Sequence, residues 1–217
     1  MGKFFNLDAP VIQWLGKVGQ MMLTSVTWLI CCLPIFTIGA ATAALYRMMF
    51  NLKEDRSCAL KDFFRAFREN FRKATALWLI LLVCIALLVG LYWVTLMIES
   101  AGLRVAVLMV FCTVFFVLYI AGLYLFPLTV YFENSVLGTL RNAVAMGLGN
   151  LRQSIIAGAV TMIPLLVLMV SMQIFVQMLF LWVVLAPGAI AYGGVCALHP
   201  VFLRYVPGTE EYEEGLA

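Results

Sequence analysis

One histidine, His199, together with six cysteines and eleven acidic residues, are the groups from which catalysis, metal binding or proton transfer could be assembled in this chain. Cys31, Cys32, Cys58, Cys84, Cys112 and Cys196 never fall at C-x-x-C spacing, and most sit inside apolar runs. Zinc and disulfide chemistry need paired ligands at matched geometry, so these cysteines read as small buried hydrophobes. The acids fall in loops and termini, four of them at Glu210, Glu211, Glu213 and Glu214. A nucleophile with its base, or a metal site, needs several polar groups converging on one point. The expectation is therefore no enzyme, no cofactor and no metal.

His199 is followed by Pro200 near the end of the last apolar stretch. It reads as an interfacial residue or as a proton relay, although no carboxylate lies in the neighbouring apolar segment. Arg47 lies inside an apolar stretch, where a charge often marks a functional site. It is also close enough to the end of that stretch to snorkel into the interface. Gln173 and Gln177 are placed at a turn rather than in a pore. Gly39, Ala40 and Ala43 after Pro34, and Gly188, Ala189, Gly193 and Gly194 after Pro187, form small-residue faces on which helix backbones can approach closely. They serve packing within the chain or onto a partner.

The elements that hold these residues follow from composition. Apolar residues make up 65% of the chain, charged residues 12%, and the mean hydropathy is +1.04. Soluble domains carry about 45–50% apolar and about 25% charged residues, and their surfaces must face water. Lipid removes that constraint, and the chain reads as an all-α transmembrane bundle. A span takes about 20 apolar residues. The first apolar block is too long for one crossing, and Pro34 divides it into helices over about 12–33 and 36–52. Further spans follow at Ala74–Ile98, Arg104–Val130, Ile155–Ser171 and Met178–Phe202, about six in all. The apolar run ending at Gly39–Ala43 is read as an uncleaved span, since an amphipathic opening precedes it and more membrane follows.

The net charge of +3 is too small to argue for nucleic acid. Its distribution says more. Six crossings with the N-terminus inside put thirteen of the fourteen Lys and Arg on the cytoplasmic face, with Arg104 alone outside. That is a strong positive-inside bias, and it places both ends of the chain in the cytoplasm, with an acidic tail at 206–217.

The stretch Ala59–Lys73 has apolar residues at 60, 63, 64, 67 and 71, one stripe on a helix. Lys61, Arg65, Arg68, Glu69 and Arg72 take the other face, and Glu69 stands four residues before Lys73, a favourable pairing. Such a helix lies in the headgroup plane, its cations worth about 1 kcal/mol each against anionic lipid, or offers a docking surface to a partner. A shift of eighty residues aligns Leu60 with Leu140, Lys61 with Arg141, Asn70 with Asn150 and Arg72 with Arg152. Two interfacial helices, each leading into a span, form an internal repeat over 59–98 and 139–173 within one membrane domain, 1–217.

Leu33-Pro34-Ile35-Phe36-Thr37-Ile38-Gly39-Ala40-Ala41-Thr42-Ala43-Ala44-Leu45-Tyr46 resembles the signature of the bacterial YesL-like family, also called DUF624. Asp62–Phe71 resembles that family's second signature, and Phe4-Phe5-Asn6-Leu7 its opening. Ala40 departs from the family pattern, which often has proline there. The resemblance covers the first third of the chain. It implies a small polytopic protein of the bacterial cytoplasmic membrane, without an established activity, encoded beside carbohydrate ABC importers. Membrane lipid and an ABC sugar permease are the partners it implies. A small transporter or channel is the alternative, favoured by the repeat and opposed by spans that hold no acid to bind a cation or proton.

Overall fold

Proline lacks the N–H that a helix interior needs, and the chain turns where Pro34 stands. A computed structural model describes residues 10–56 and 58–205. In it α1 (Pro10–Cys31) ends just before Pro34, one 3-10 turn follows at Ile35–Thr37, and α2 (Ile38–Lys53) begins. The Thr37 hydroxyl sits 2.6 Å from the carbonyls of both Cys31 and Pro34 and holds the corner. The chain continues through α3 (Leu60–Met97), α4 (Ala101–Tyr131), α5 (Val136–Gly149), α6 (Leu151–Val170), α7 (Met172–Gln177), α8 (Leu179–Val184) and α9 (Ala186–Arg204). No strand occurs among the described residues, and the fold is all-α. Lys3, the Phe4–Leu7 opening and the acidic tail at 206–217 lie outside the described residues.

Among the described residues five helical stretches are long and apolar enough to cross a membrane: Ile35–Lys53, α3, α4, α6 and α9. The sequence predicts about six. The difference is α1, a helix of 22 residues that carries Gln13, Lys17, Gln20, Thr24, Ser25 and Thr27 and is not among the five. The last expected span is also divided. Residues 178–202 form α8 and α9, separated at Leu185 just before Pro187, and the turn expected near Gln173–Gln177 is the short helix α7.

The two interfacial helices differ from expectation as well. The first does not stop at Lys73; it runs on into the following span as a single helix of 38 residues. No glycine or proline lies at the junction, and strong helix formers flank it. At about 1.5 Å per residue α3 is about 57 Å long, against about 30 Å of hydrocarbon. Its apolar stripe turns mainly to protein: Phe63 is fully buried, and Phe67 and Phe71 pack on the buried alanines Ala40, Ala43 and Ala74. Leu60 and Phe64 stay exposed. The second, α5, is a separate helix that breaks from α6 at Asn150 (φ −125°, ψ 55°). Its face of Thr139, Ala143, Met146 and Gly147 is buried, so protein covers the side expected to meet lipid.

The core gathers α2, the first half of α3, the last third of α4, and α9, around Met48, Phe63, Leu77, Tyr124, Leu128 and Phe202. The far halves of α3 and α4 form a hairpin turning at Ile98–Ser100, with most side chains exposed, as suits a solvent of lipid tails. The buried Tyr124 hydroxyl lies 2.9 Å from the Ser154 hydroxyl, which donates to the Gly147 carbonyl at 2.7 Å. That knot joins α4, α5 and α6 at the Asn150 break. The eighty-residue shift also brings buried positions of α2 and α4 into register: Ala40 with Ile120, Ala43 with Leu123, Ala44 with Tyr124 and Met48 with Leu128. Asn70 and Asn150 each donate a side-chain hydrogen bond to the carbonyl four residues back, both at 3.0 Å.

Gly39 meets the Ala74 carbonyl and the Trp78 side chain where α2 crosses α3, so a methyl group there has no room. Gly39→Ala should destabilise the protein by about 1–3 kcal/mol, the usual cost of overpacking a tight contact. Gly122→Ala, where a methyl meets nothing within 4 Å, should be neutral or gain about 0.5–1 kcal/mol from helix propensity. Thermal unfolding of both variants in detergent checks the contrast, and equal melting temperatures would contradict it.

Candidate functional site

Burial of Phe63 and Ala66 sets the phase of α3, and the phase decides where its cations point. Lys61, Arg65, Arg68 and Arg72 follow at intervals of three and four residues, share one face, and are all exposed. None of them forms an ion pair among the described residues. Phe64 stands in the same stripe, 53% exposed, with its ring edge-on to Phe63 at 5.7 Å. These side chains, with Phe67, Glu69 and Phe71, line an open surface hollow. The result is a rigid cationic face with an exposed aromatic ring, held in place by the packing of the opposite face. Arg141 and Arg152 are exposed too, but on α5 and at the start of α6.

Glu69 does not pair with Lys73. Lys73 instead reaches across to α4, its Nζ donating to the Phe132 carbonyl at 3.5 Å. Arg47 does likewise, with Nη1 donating to the Val130 carbonyl at 3.0 Å. The last carbonyls of a helix have no partner within it, and the negative end of the helix dipole attracts cations. Two cations from neighbouring helices thus close the end of α4. Arg47 has a contact inside the chain, which neither pure snorkelling nor a partner site requires.

A second charged group forms after α2. Asp55 takes a left-handed conformation (φ 53°), and the Arg56 N–H bonds back to the Asn51 carbonyl at 2.8 Å, the helix-ending arrangement in which an asparagine or aspartate replaces glycine. The turn presents Asp55 to Lys17 at 2.7 Å and Glu54 to Arg56 at 3.0 Å. Glu54 also lies 3.6 Å from His199 Nε2, while the Tyr131 ring packs edge-on against the imidazole at 6.2 Å. Sequence reasoning missed this pairing, because Glu54 and His199 sit far apart in the chain. The usable signal was a lone histidine and the adjacent carboxylates Glu54 and Asp55, both beside predicted inner ends of spans. Among the described residues no group of three or more His, Cys, Asp or Glu could hold a metal, and the cysteines are all unpaired.

The small residues take up packing positions. Pro34 starts the corner before α2, Gly39 meets α3, and Ala40 and Ala43 face Ala74. Pro187 opens α9. The Gly188 N–H donates to Ser25 Oγ at 2.8 Å, and a methyl on Gly188 would approach the Met21 carbonyl at 2.8 Å. Gly193 lies against Val160 of α6, and Gly194 near Tyr46. Gln173 and Gln177 belong to α7.

Replacing Arg47 by leucine keeps an apolar stem and removes the donor to Val130. The variant should lose about 1 kcal/mol, the net worth of one such hydrogen bond. Its melting temperature relative to Arg47→Lys, which restores the charge, measures the effect; identical values for all three proteins would show that the bond contributes nothing.

No curated protein and no solved structure matches the chain. A family model does match it, over the same stretch that carries the two signatures and the crossing of α2 with α3. From residue 21 to residue 92 the chain matches DUF624, described as a protein of unknown function.

Proposed function

We propose that this multi-pass membrane protein is a non-catalytic scaffold of the bacterial cytoplasmic membrane that docks a carbohydrate ABC permease through the cationic face of α3. The observation that carries the reading is the set Lys61, Arg65, Arg68 and Arg72, without an ion pair among the described residues and exposed on a helix whose other face is locked into the core. Rigid, preorganised charge lowers the ordering cost of association and complements acidic partner surfaces. The choice of an ABC permease rests on the family resemblance. In this reading α1 also crosses, as the pairing of Lys17 near its start with Asp55 beyond the end of α2 supports, and six crossings with the charge bias of the loops put both chain ends in the cytoplasm.

The interior supports a scaffold better than a sugar carrier. Two cavities among the described helices are walled almost wholly by apolar side chains such as Leu81, Phe115, Ile163 and Trp182. A sugar passing through would lose its hydrogen bonds to water and find few in return.

Co-purification from native membranes after brief cross-linking, with mass spectrometry of the bound proteins, tests the proposal. An ABC permease should be recovered in near-stoichiometric amount. Substituting Arg65, Arg68 and Arg72 together with glutamine should reduce that recovery about tenfold or more, as loss of several charge contacts would. Recovery of the protein alone at several expression levels would overturn the reading, and sugar uptake by purified protein in liposomes would establish a transporter instead.

A further inference from the structure

We infer that the groove between α3, α4 and α6 is a binding site for one acyl chain of a membrane glycerophospholipid. This stands apart from the docking face, which lies on the other half of α3. Leu81, Ile85, Leu88 and Tyr92 form one wall, and Thr161 and Met162 of α6 close the floor. The wall from α4 carries a ladder of rings. Tyr92 meets Phe111 at 5.8 Å, Phe111 stacks on Phe115 at 6.2 Å, and Phe115 stacks on Tyr119 at 6.4 Å.

The dimensions select the occupant. The cavity measures about 590 Å³. Leu81 to Tyr92 spans about 16 Å of helix, which is about half of a hydrocarbon layer of about 30 Å and so the depth of one leaflet. A transmembrane partner helix, which needs about 30 Å to span the hydrocarbon, is too long for the groove. A single extended hydrocarbon chain fits the groove's length and volume.

The chemistry agrees. Tyr119 and Thr161 satisfy each other at 2.8 Å, and both hydroxyls also reach the Gly158 carbonyl. The depth of the groove therefore offers a chain nothing but apolar contact. Tyr92 closes the end nearer the α3–α4 turn, and its hydroxyl has no hydrogen-bond partner among the described residues. Tyrosine favours the boundary between tails and headgroups, and there it can donate to an ester oxygen. Between lipid and protein there is no hydrophobic gain, so retention must come from packing. Walls on three sides provide more of it than the outward faces of α3 and α4.

Two measurements on purified protein test the site. Native mass spectrometry after detergent washing should show one retained phospholipid. Gly122→Leu, whose side chain enters open space beside the groove, should lower its occupancy about tenfold, the equivalent of about 1.4 kcal/mol. Leu88→Phe should act the same way from α3, and Val114→Leu, on an exposed position, should leave retention unchanged. Phosphatidylglycerol with a mid-chain diazirine should label groove positions in preference to the exposed Val83, Leu87 and Val114. Retention unaffected by both filling variants, or labelling spread evenly over groove and outward positions, would overturn the assignment.

Discussion

The crossing of α2 over α3, backbone to backbone at Gly39 and Ala74, is the contact on which the remaining arrangement depends. Lipid gives apolar side chains no reason to leave it, so helices in a bilayer associate through close packing and satisfied polar groups. Gly39, Ala40 and Ala43 permit that packing, and the Trp78 indole donates to the Ile35 carbonyl at 2.9 Å beside it. Once α3 is seated, Phe63 and Ala66 must face the core and the four cations must face away. The phase of one helix thus converts a packing contact into a charged surface.

The end of α4 shows the same economy of polar groups. The last carbonyls of α4 have no N–H within the helix to accept from. Arg47 and Lys73 come from the two helices that cross at Gly39, so the contact that positions α3 also delivers the donors that close α4. Charges that look out of place in an apolar stretch are here part of the backbone's own hydrogen bonding. This separates them from Lys61, Arg65, Arg68 and Arg72, which form no ion pair among the described residues.

Helix identity and most span positions were legible in the sequence, because apolar length and Pro34 report directly on local structure. The small-residue face around Gly39 was legible for the same reason. Three things were not. The sequence separates an amphipathic segment from a span by composition, but the backbone at Lys73–Ala74 has no cause to break, and α3 is one helix. Periodicity shows that Phe63, Phe67 and Phe71 share a face without showing whether lipid or α2 covers it. The pairing of Glu54 with His199 needs α9 to return beside the end of α2, a long-range fact that no local pattern carries.

These differences bear on how the molecule divides its work. The half built from α2, the start of α3, the end of α4, α5 and α9 is closely packed and carries most of the charge, while the outer α3–α4 hairpin is exposed and apolar. A chain that bound and moved a polar solute would place satisfiable polar groups along a path through both halves. Here the polar side chains of the spans are largely spent on the chain itself: Thr24, Ser25, Thr95 and Thr129 each bond to the carbonyl four residues back, and Tyr119 and Tyr124 to α6. Among the described residues the charged groups without an ion pair include Lys61, Arg65, Arg68 and Arg72 on the surface of α3, and the groove between α3, α4 and α6 has apolar walls. Such a division suits a protein that holds lipid along one half and presents a fixed cationic face on the other.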